Sequence, residues 1–461
     1  MASLDALILG GGPAGSTAAR LLSQWGYSVA VALGPAARHS MAECLPPSTC
    51  KVLRFLGIEG AVAAAGFFRT KGNTVWWGES RRRVEAYSEG SGYQVPRRDF
   101  DRLLLGLAES AGARVLAPGA PRPKARFALD CSGRTGVLAR AYRIRPKHCR
   151  TVALCGVWHS DTRWRLPDAS HTLVEAYGDG WAWSVPLSPT VRQMAFMVDP
   201  VETRLTRGYG LVPLYLAELA KTRALRRIFG RATLTGTPWG RDASPYTSTQ
   251  FCGPGFLLAG DAGSCIDPLS SFGVKKAMVS AWTAAVTINT CLRKPEMQEA
   301  ALGFFDERER RVYAEYREQA SGWSRAAGAE GAQPFWGSRS ELGEPGATAP
   351  ADQARVQASL RALRAKPSIR LQRGDGVTPV QRASIQGREV VLHDALAAPG
   401  AGVALDYIAN VEVCRLVEMA PHHRQVPDLF EAYNRGAAPV DLPHFLAALS
   451  SLLAEGILVS V

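Results

Sequence analysis

A short apolar strand, Ala6 to Leu9, runs straight into Gly10-x-Gly12-x-x-Gly15 and then into an alanine-rich helix. No other feature restricts the fold as much, because strand, tight turn and helix in this order build a dinucleotide site. Gly10 permits the turn, Gly12 lets backbone N–H groups approach a pyrophosphate, and Gly15 lets the helix pack on the strand. Pro13 and Ala14 open that helix, whose first turn offers unpaired N–H donors and a partial positive charge to the phosphates. The plain alternative, a Gly-rich turn without a ligand, is disfavoured by the flanking strand and helix.

Two later segments extend the motif. Leu129-Asp130-Cys131-Ser132-Gly133-Arg134 follows an apolar strand, and Gly260-Asp261-Ala262 ends another. Asp267-Pro268-Leu269-Ser270-Ser271-Phe272-Gly273-Val274 then opens a helix near 273–292. Together with the first motif these resemble the flavin monooxygenase superfamily, and the resemblance implies FAD as cofactor. It makes Gly10, Gly12, Pro13, Ala14, Gly15, Glu43, Arg97, Asp130, Gly133, Gly260, Asp261, Pro268, Ser271, Gly273 and Val274 the candidate FAD-binding residues. Asp261 is the expected partner of the ribityl chain, and the helix after Pro268 faces the pyrimidine end of the isoalloxazine. Arg97, in Val95-x-Arg97-x-x-Phe100-Asp101, either approaches the flavin edge or forms a salt bridge at a helix start. One position departs from the pattern: Leu33 ends the second strand where the superfamily places a carboxylate for the adenosine ribose. Glu43 or a backbone group is then the candidate substitute.

Between Arg150 and Met197 the pattern becomes β-rich alternation, read as a sheet that holds a substrate over the cofactor. The expected fold is α/β: a Rossmann-like FAD-binding domain (1–150 and 240–325) with an inserted β-rich substrate domain (151–239) of aromatic-hydroxylase or halogenase type. A Gly, Pro, Ser and Ala-rich segment at 322–354 reads as a linker or mobile loop. Residues 355–461 read as a small winged-helix-like α+β domain.

Residues 3–320 resemble the flavin-dependent halogenase branch. Glu43-Cys44-Leu45-Pro46-Pro47-Ser48, the Arg69-Thr70-Lys71-Gly72-Asn73 segment before Trp76-Trp77-Gly78, and Trp181-Ala182-Trp183-Ser184-Val185-Pro186 carry this likeness. It makes Lys71, Trp181, Trp183 and Phe272 the candidate catalytic residues. A surface lysine and a plain β-strand aromatic pair are the bland alternatives. Halogenases carry small residues before the helix glycine, whereas this chain has Phe272, whose bulk removes room for a halide. Within the superfamily the chain most resembles the FAD-dependent monooxygenases that mature tryptophan-derived quinone cofactors, in particular the one serving quinohemoprotein amine dehydrogenase. That resemblance implies hydroxylation of a tryptophan side chain in a small protein subunit, through a flavin C4a-hydroperoxide, on the route to cysteine tryptophylquinone. O2 and NADH or NADPH, or a partner flavin reductase, are the implied co-reactants. Two alternatives stand beside it: a halogenase of an indole, pyrrole or phenol, and a non-catalytic flavoprotein scaffold of a maturation complex.

The net charge of +13 arises within residues 1–355, which hold 44 basic and 31 acidic residues. Such a surface suits a small acidic protein subunit, with other maturation enzymes as candidate partners. Residues 356–461 carry ten of each sign, which argues against nucleic acid as a partner. No uncharged apolar run reaches ~18 residues, so no membrane span is expected. Nine cysteines, scattered without CxxC spacing, fit a reducing cytoplasm and argue against a metal site.

Overall fold

A computed structural model describes residues 3–35, 39–78, 82–203, 210–270, 272–328, 334–342, 353–365, 368–399, 404–436 and 439–461. The chain divides into two compact units: Met1–Leu292 with Phe305–Glu344, and Arg293–Phe304 with Pro345–Val461.

The first unit contains the expected dinucleotide sheet. Its six strands run in the order Cys252–Gly253, Phe256–Leu258, Ala125–Asp130, Leu4–Leu9, Val29–Ala32, Arg114–Leu116. All pairs are parallel except the first, which forms an antiparallel edge. Parallel strands are covered on both faces, which is why residues 6–9 and Phe256–Leu258 read as continuous apolar runs. The three motif-bearing turns follow the carboxyl ends of adjacent strands, where open α/β sheets bind ligands.

A seven-stranded sheet runs Thr233–Asp242, Val152–His159, Val191–Val198, Gly180–Pro186, Thr172–Tyr177, Gly72–Trp76, Arg83–Ala86. It therefore extends beyond the 151–239 boundary set from the sequence. Gly72–Trp76 pairs in parallel with Thr172–Tyr177, and such long-range pairing leaves no local trace in the chain. Strict alternation sorts its side chains. Leu154, Leu173, Ala182, Met194, Phe196 and Val198 pack with Tyr215, Leu219, Leu225 and Phe229, which the helices Leu211–Lys221 and Ala224–Phe229 supply. Ala153, Cys155, Trp181, Ala195 and Met197 lie on the other face.

The segment 322–354, expected to be a linker or mobile loop, is partly built into the core. Residues 322–328 finish the helix Gln298–Gly328, and Pro334–Ser340 forms a further helix. Its Phe335 and Trp336 are buried against Trp181 and Cys155. Composition favoured a loop, but burial of two large rings outweighs weak helix propensity. Residues 329–333 and 343–352 lie outside the described residues.

In the second unit the hairpin Thr378–Gln386/Glu389–Ala397 packs with the helices Val413–Met419, Val426–Asn434 and Leu442–Ala454 around a core that includes Val411, Leu416, Phe445 and Leu449. Asp441 caps the last helix by accepting the His444 N–H. The nine cysteines form no disulfide. Among the described residues, no helix is long and apolar enough to cross a membrane, and no cluster of ligating side chains could hold a metal.

Candidate flavin site and its aromatic face

The Gly-rich turn is as tight as its sequence requires. Gly10 has φ +109°, and a Cβ there would lie 2.5 Å from the Cys131 carbonyl oxygen. A Cβ on Gly15 would lie 1.8 Å from the Gly10 oxygen. Gly12 caps the helix Pro13–Gln24, with Pro13 at its first position and no side chain capping its first turn. Its leading N–H groups thus have no partner inside the helix and are available to an anion.

The Gly260-Asp261-Ala262 turn meets this helix. An added Cβ on Gly260 would touch the Cβ atoms of both Ala14 and Ala277, at 3.3 and 3.2 Å. Two helices, Pro13–Gln24 and Gly273–Arg293, therefore converge on one turn, and the Tyr246 hydroxyl fixes it by donating to the Asp261 carbonyl. Arg97 Nη2 and Asp101 Oδ2 each approach to 3.8 Å of where a Gly12 Cβ would stand.

Arg97 bridges Asp101 (3.0 Å) and Glu43 (3.3 Å). The salt bridge at the helix start is thus formed, and the same guanidinium stands beside the phosphate-binding turn. Burial opposes the Arg97 charge, but the Asp101 and Glu43 carboxylates outweigh it and raise its pKa. Burial pushes the Glu43 carboxyl above its usual range; Arg97 pulls it down, and the nearby Asp261 and Asp101 charges push it up. Glu43 therefore belongs to the Asp261 end of the site. A Leu33 methyl lies 2.5 Å from where a Gly11 Cβ would be, so the ribose position carries an apolar contact in place of a carboxylate.

Asp130 ends the strand Ala125–Asp130 at the second motif turn. It is fully buried, and both oxygens are occupied internally. Oδ1 accepts from the Ser132 N–H and hydroxyl, and Oδ2 from the Leu138 and Ala139 N–H groups. It shapes the turn that carries Gly133. Arg134 of the same motif reaches Cys265 Sγ (2.7 Å), the Ser244 carbonyl and Asp242.

Before the second helix, Pro268–Ser270 makes a single 3-10 turn, and Asp267 accepts the Leu269 N–H. Ser271 lies outside the described residues. The Phe272 carbonyl accepts the Lys276 N–H, and its ring packs against Tyr316 at 5.6 Å with Lys275 Nζ 4.9 Å from its centroid. Val274 is buried at the helix start, one residue after Gly273.

Trp181 is buried, and Trp183 and Leu269 pack beside it, so the aromatic face of the seven-stranded sheet adjoins the turn before the second helix. Trp77 contacts both Trp181 and Trp336 edge-on, at 6.3 and 5.4 Å. The buried Nε1 atoms of Trp183 and Trp239 have no hydrogen-bond partner among the described residues. Trp239 stacks on His39 at 4.8 Å; its pairing opposite Cys155 is long-range, so the sequence carried no signal for it.

Lys71 lies elsewhere on this sheet. It is exposed in the turn before Gly72–Trp76, where its N–H donates to Ser170 Oγ and its charge helps lower the Asp168 pKa. Strand register sets it two strands away from Trp183 and four residues further along, roughly 16 Å apart. Lys276 is 4% exposed. It shares a second buried stripe of this helix with Ser280, Thr283 and Thr287, opposite the stripe of Val274, Met278 and Ala281.

The uncapped helix start, the Cβ-excluding turn, the Arg97 cation and the Asp261 carboxylate together fit a flavin dinucleotide. Residues 3–118 match the family model described as an FAD binding domain, and residues 119–350 match the one described as Tryptophan halogenase. The chain is 31% identical over 337 residues to the Tryptophan 2-halogenase of Chondromyces crocatus, covering 66% of this chain and 64% of that protein's length. In fold it is similar to CmlS, a flavin-dependent halogenase (TM-score 0.79, 20% identity, 100% of this chain and 96% of that one). It is also similar to QhpG, a peptidyl tryptophan dihydroxylase essential for tryptophylquinone cofactor biogenesis (TM-score 0.74, 23% identity, 99% and 100%). The chain belongs to the tryptophan halogenase family of FAD-dependent oxidoreductases.

Proposed function

We propose that this protein is a monooxygenase that hydroxylates a tryptophan side chain of a small acidic protein subunit, on the route to cysteine tryptophylquinone. The fold corresponds end to end with the peptidyl tryptophan dihydroxylase as it does with the halogenase CmlS, and the observation that carries the hydroxylase reading is Phe272. Its bulk stands where the halogenase pattern has a small residue beside the halide.

FAD, when bound, supplies oxygen activation using O2 and electrons from NADH or NADPH, directly or through a partner reductase. The protein contributes position and charge. The first turn of the helix Pro13–Gln24 and Arg97 hold the anionic part of the cofactor, and Asp261 accepts hydroxyl hydrogen bonds. Trp181, Trp183 and Trp77 line an apolar wall that excludes water and suits an indole ring. The free Nε1 donors of Trp183 and Trp239 offer hydrogen bonds to carbonyl groups of a peptide. Lys71, exposed and roughly 16 Å along the sheet from Trp183, takes no part in this wall.

Halogenation of an indole, pyrrole or phenol is the second reading, favoured by the 31% identity to a tryptophan 2-halogenase. Intact mass of a candidate subunit after aerobic turnover with FAD, reductant and bromide separates the two. Addition of oxygen without a bromine isotope doublet is expected; a doublet would replace the hydroxylase reading with the halogenase one.

A further inference from the structure

Lys276 has a side chain 1% exposed, and burying an ammonium is tolerated only when partners compensate its lost hydration. Its Nζ donates to the carbonyls of Gly260 (3.0 Å) and Ser264 (2.5 Å), and stands 3.9 Å from Asp261 Oδ1. Four residues along the same helix, Ser280 Oγ accepts the Gly260 N–H at 3.0 Å. Both backbone polar groups of Gly260 are therefore held by side chains from one helix face.

Behind them stands Glu309 of the helix Gln298–Gly328, with its side chain 1% exposed. Oε1 pairs with Arg308 at 3.3 Å, and Oε2 has no hydrogen-bond partner among the described residues. Burial pushes this carboxyl up, while attraction to Lys276 and Arg308 pulls it down. On the other side of the turn, Asp261 is close enough to Glu43 for their charges to repel. Lys276 is the buried cation nearest the Asp261 carboxylate on this side of the turn, as Arg97 is beside Glu43.

We propose that Lys276, Ser280 and Glu309 form a buried positioning network that fixes the Gly260–Asp261 turn, and so sets the affinity and reduction potential of bound FAD. None of the three need touch the cofactor. They act through the turn, by hydrogen bonds to Gly260 and by the buried charge pair behind it. The proposal rests on the flavin site and is independent of whether oxygen or halogen is transferred.

The test uses the full chain with Lys276→Met, Glu309→Gln and the double variant. FAD dissociation constants come from quenching of flavin fluorescence, midpoint potentials from reductive titration, and thermal midpoints from the apoprotein. Lys276→Met should weaken FAD binding by about tenfold or more, the effect of losing charge-assisted hydrogen bonds. It should also move the potential negative, because a buried cation that favours the electron-rich reduced flavin is gone. Glu309→Gln should move the potential positive. A purely structural role would lower the thermal midpoint without shifts of opposite sign, and that result overturns the proposal. The double variant removes both buried charges, so it remains testable if Lys276→Met fails to fold; it should still bind FAD weakly. FAD affinity within about twofold of wild type in that variant also overturns the network. A wild-type chain that binds no FAD at all would instead overturn the flavin site itself.

Discussion

At the scale of single residues, position decided more than chemical type. Lys71 and Lys276 are both lysines near family motifs, yet one is exposed and the other is 4% exposed beneath the Gly260 turn. Replacing Lys71 by Ala should leave stability within about 0.5 kcal/mol of wild type, as for most surface changes. FAD binding and product formation should both be unaltered, since Lys71 is exposed and roughly 16 Å along the sheet from Trp183; loss of product in a single-turnover mass assay would place Lys71 in the mechanism. His171 offers a pH prediction. It is buried under the seven-stranded sheet beside Thr74 Oγ1 (3.1 Å), and burial lowers its pKa; Asp168 opposes this, and Arg192 and Arg82 add to it. The folded state thus favours the neutral ring, so stability is fully present above the unfolded pKa of about 6.5 and declines as pH falls below it. His171→Gln should flatten that decline, measured as denaturation midpoints at neutral and mildly acidic pH.

At the scale of elements, two helix starts make the site, and both depend on close backbone approach. Gly15→Ala would drive a methyl into the Gly10 carbonyl, 1.8 Å away, with backbone on both sides and no flexible side chain to yield. Forced overpacking of this kind costs about 1–3 kcal/mol. The variant should show a lower thermal midpoint and no FAD retention through gel filtration. If FAD remains bound with native stoichiometry, the Gly-rich turn is not the phosphate cradle. The Pro334–Ser340 helix makes the complementary point. Its sequence carries glycine and serine and reads as loop, and tertiary contacts order it: the Trp181–Trp77 surface buries Phe335 and Trp336, and the Trp336 indole N–H donates to the Tyr177 carbonyl.

For the molecule as a whole, charge distribution bears on the partner. The excess of basic residues lies entirely in residues 1–355. If the substrate is an acidic subunit, association should slow as salt rises from about 0.05 to 0.5 M, since exposed charges are screened beyond a Debye length of roughly 10 Å or less. A free indole, being uncharged, should show no such dependence. Stopped-flow binding rates for both would check this, and equal salt sensitivity would remove electrostatic steering from the account.

The sequence by itself determined the dinucleotide turn, the Asp261 turn and the alternation of the substrate sheet, because each is written in neighbouring residues. Gly10 and Gly15 are informative since only glycine tolerates their backbone contacts, and Trp181 and Trp183 share a face because strands alternate. Tertiary structure alone decided what depends on distant pairing. It brought Gly72–Trp76 into the substrate sheet, linked Arg97 to Glu43 across 54 positions, and buried Lys276 beneath the Gly260 turn. The physical reason is common to all three. A buried charge or a paired strand is defined by the partner that compensates it, and that partner has no fixed spacing in the chain.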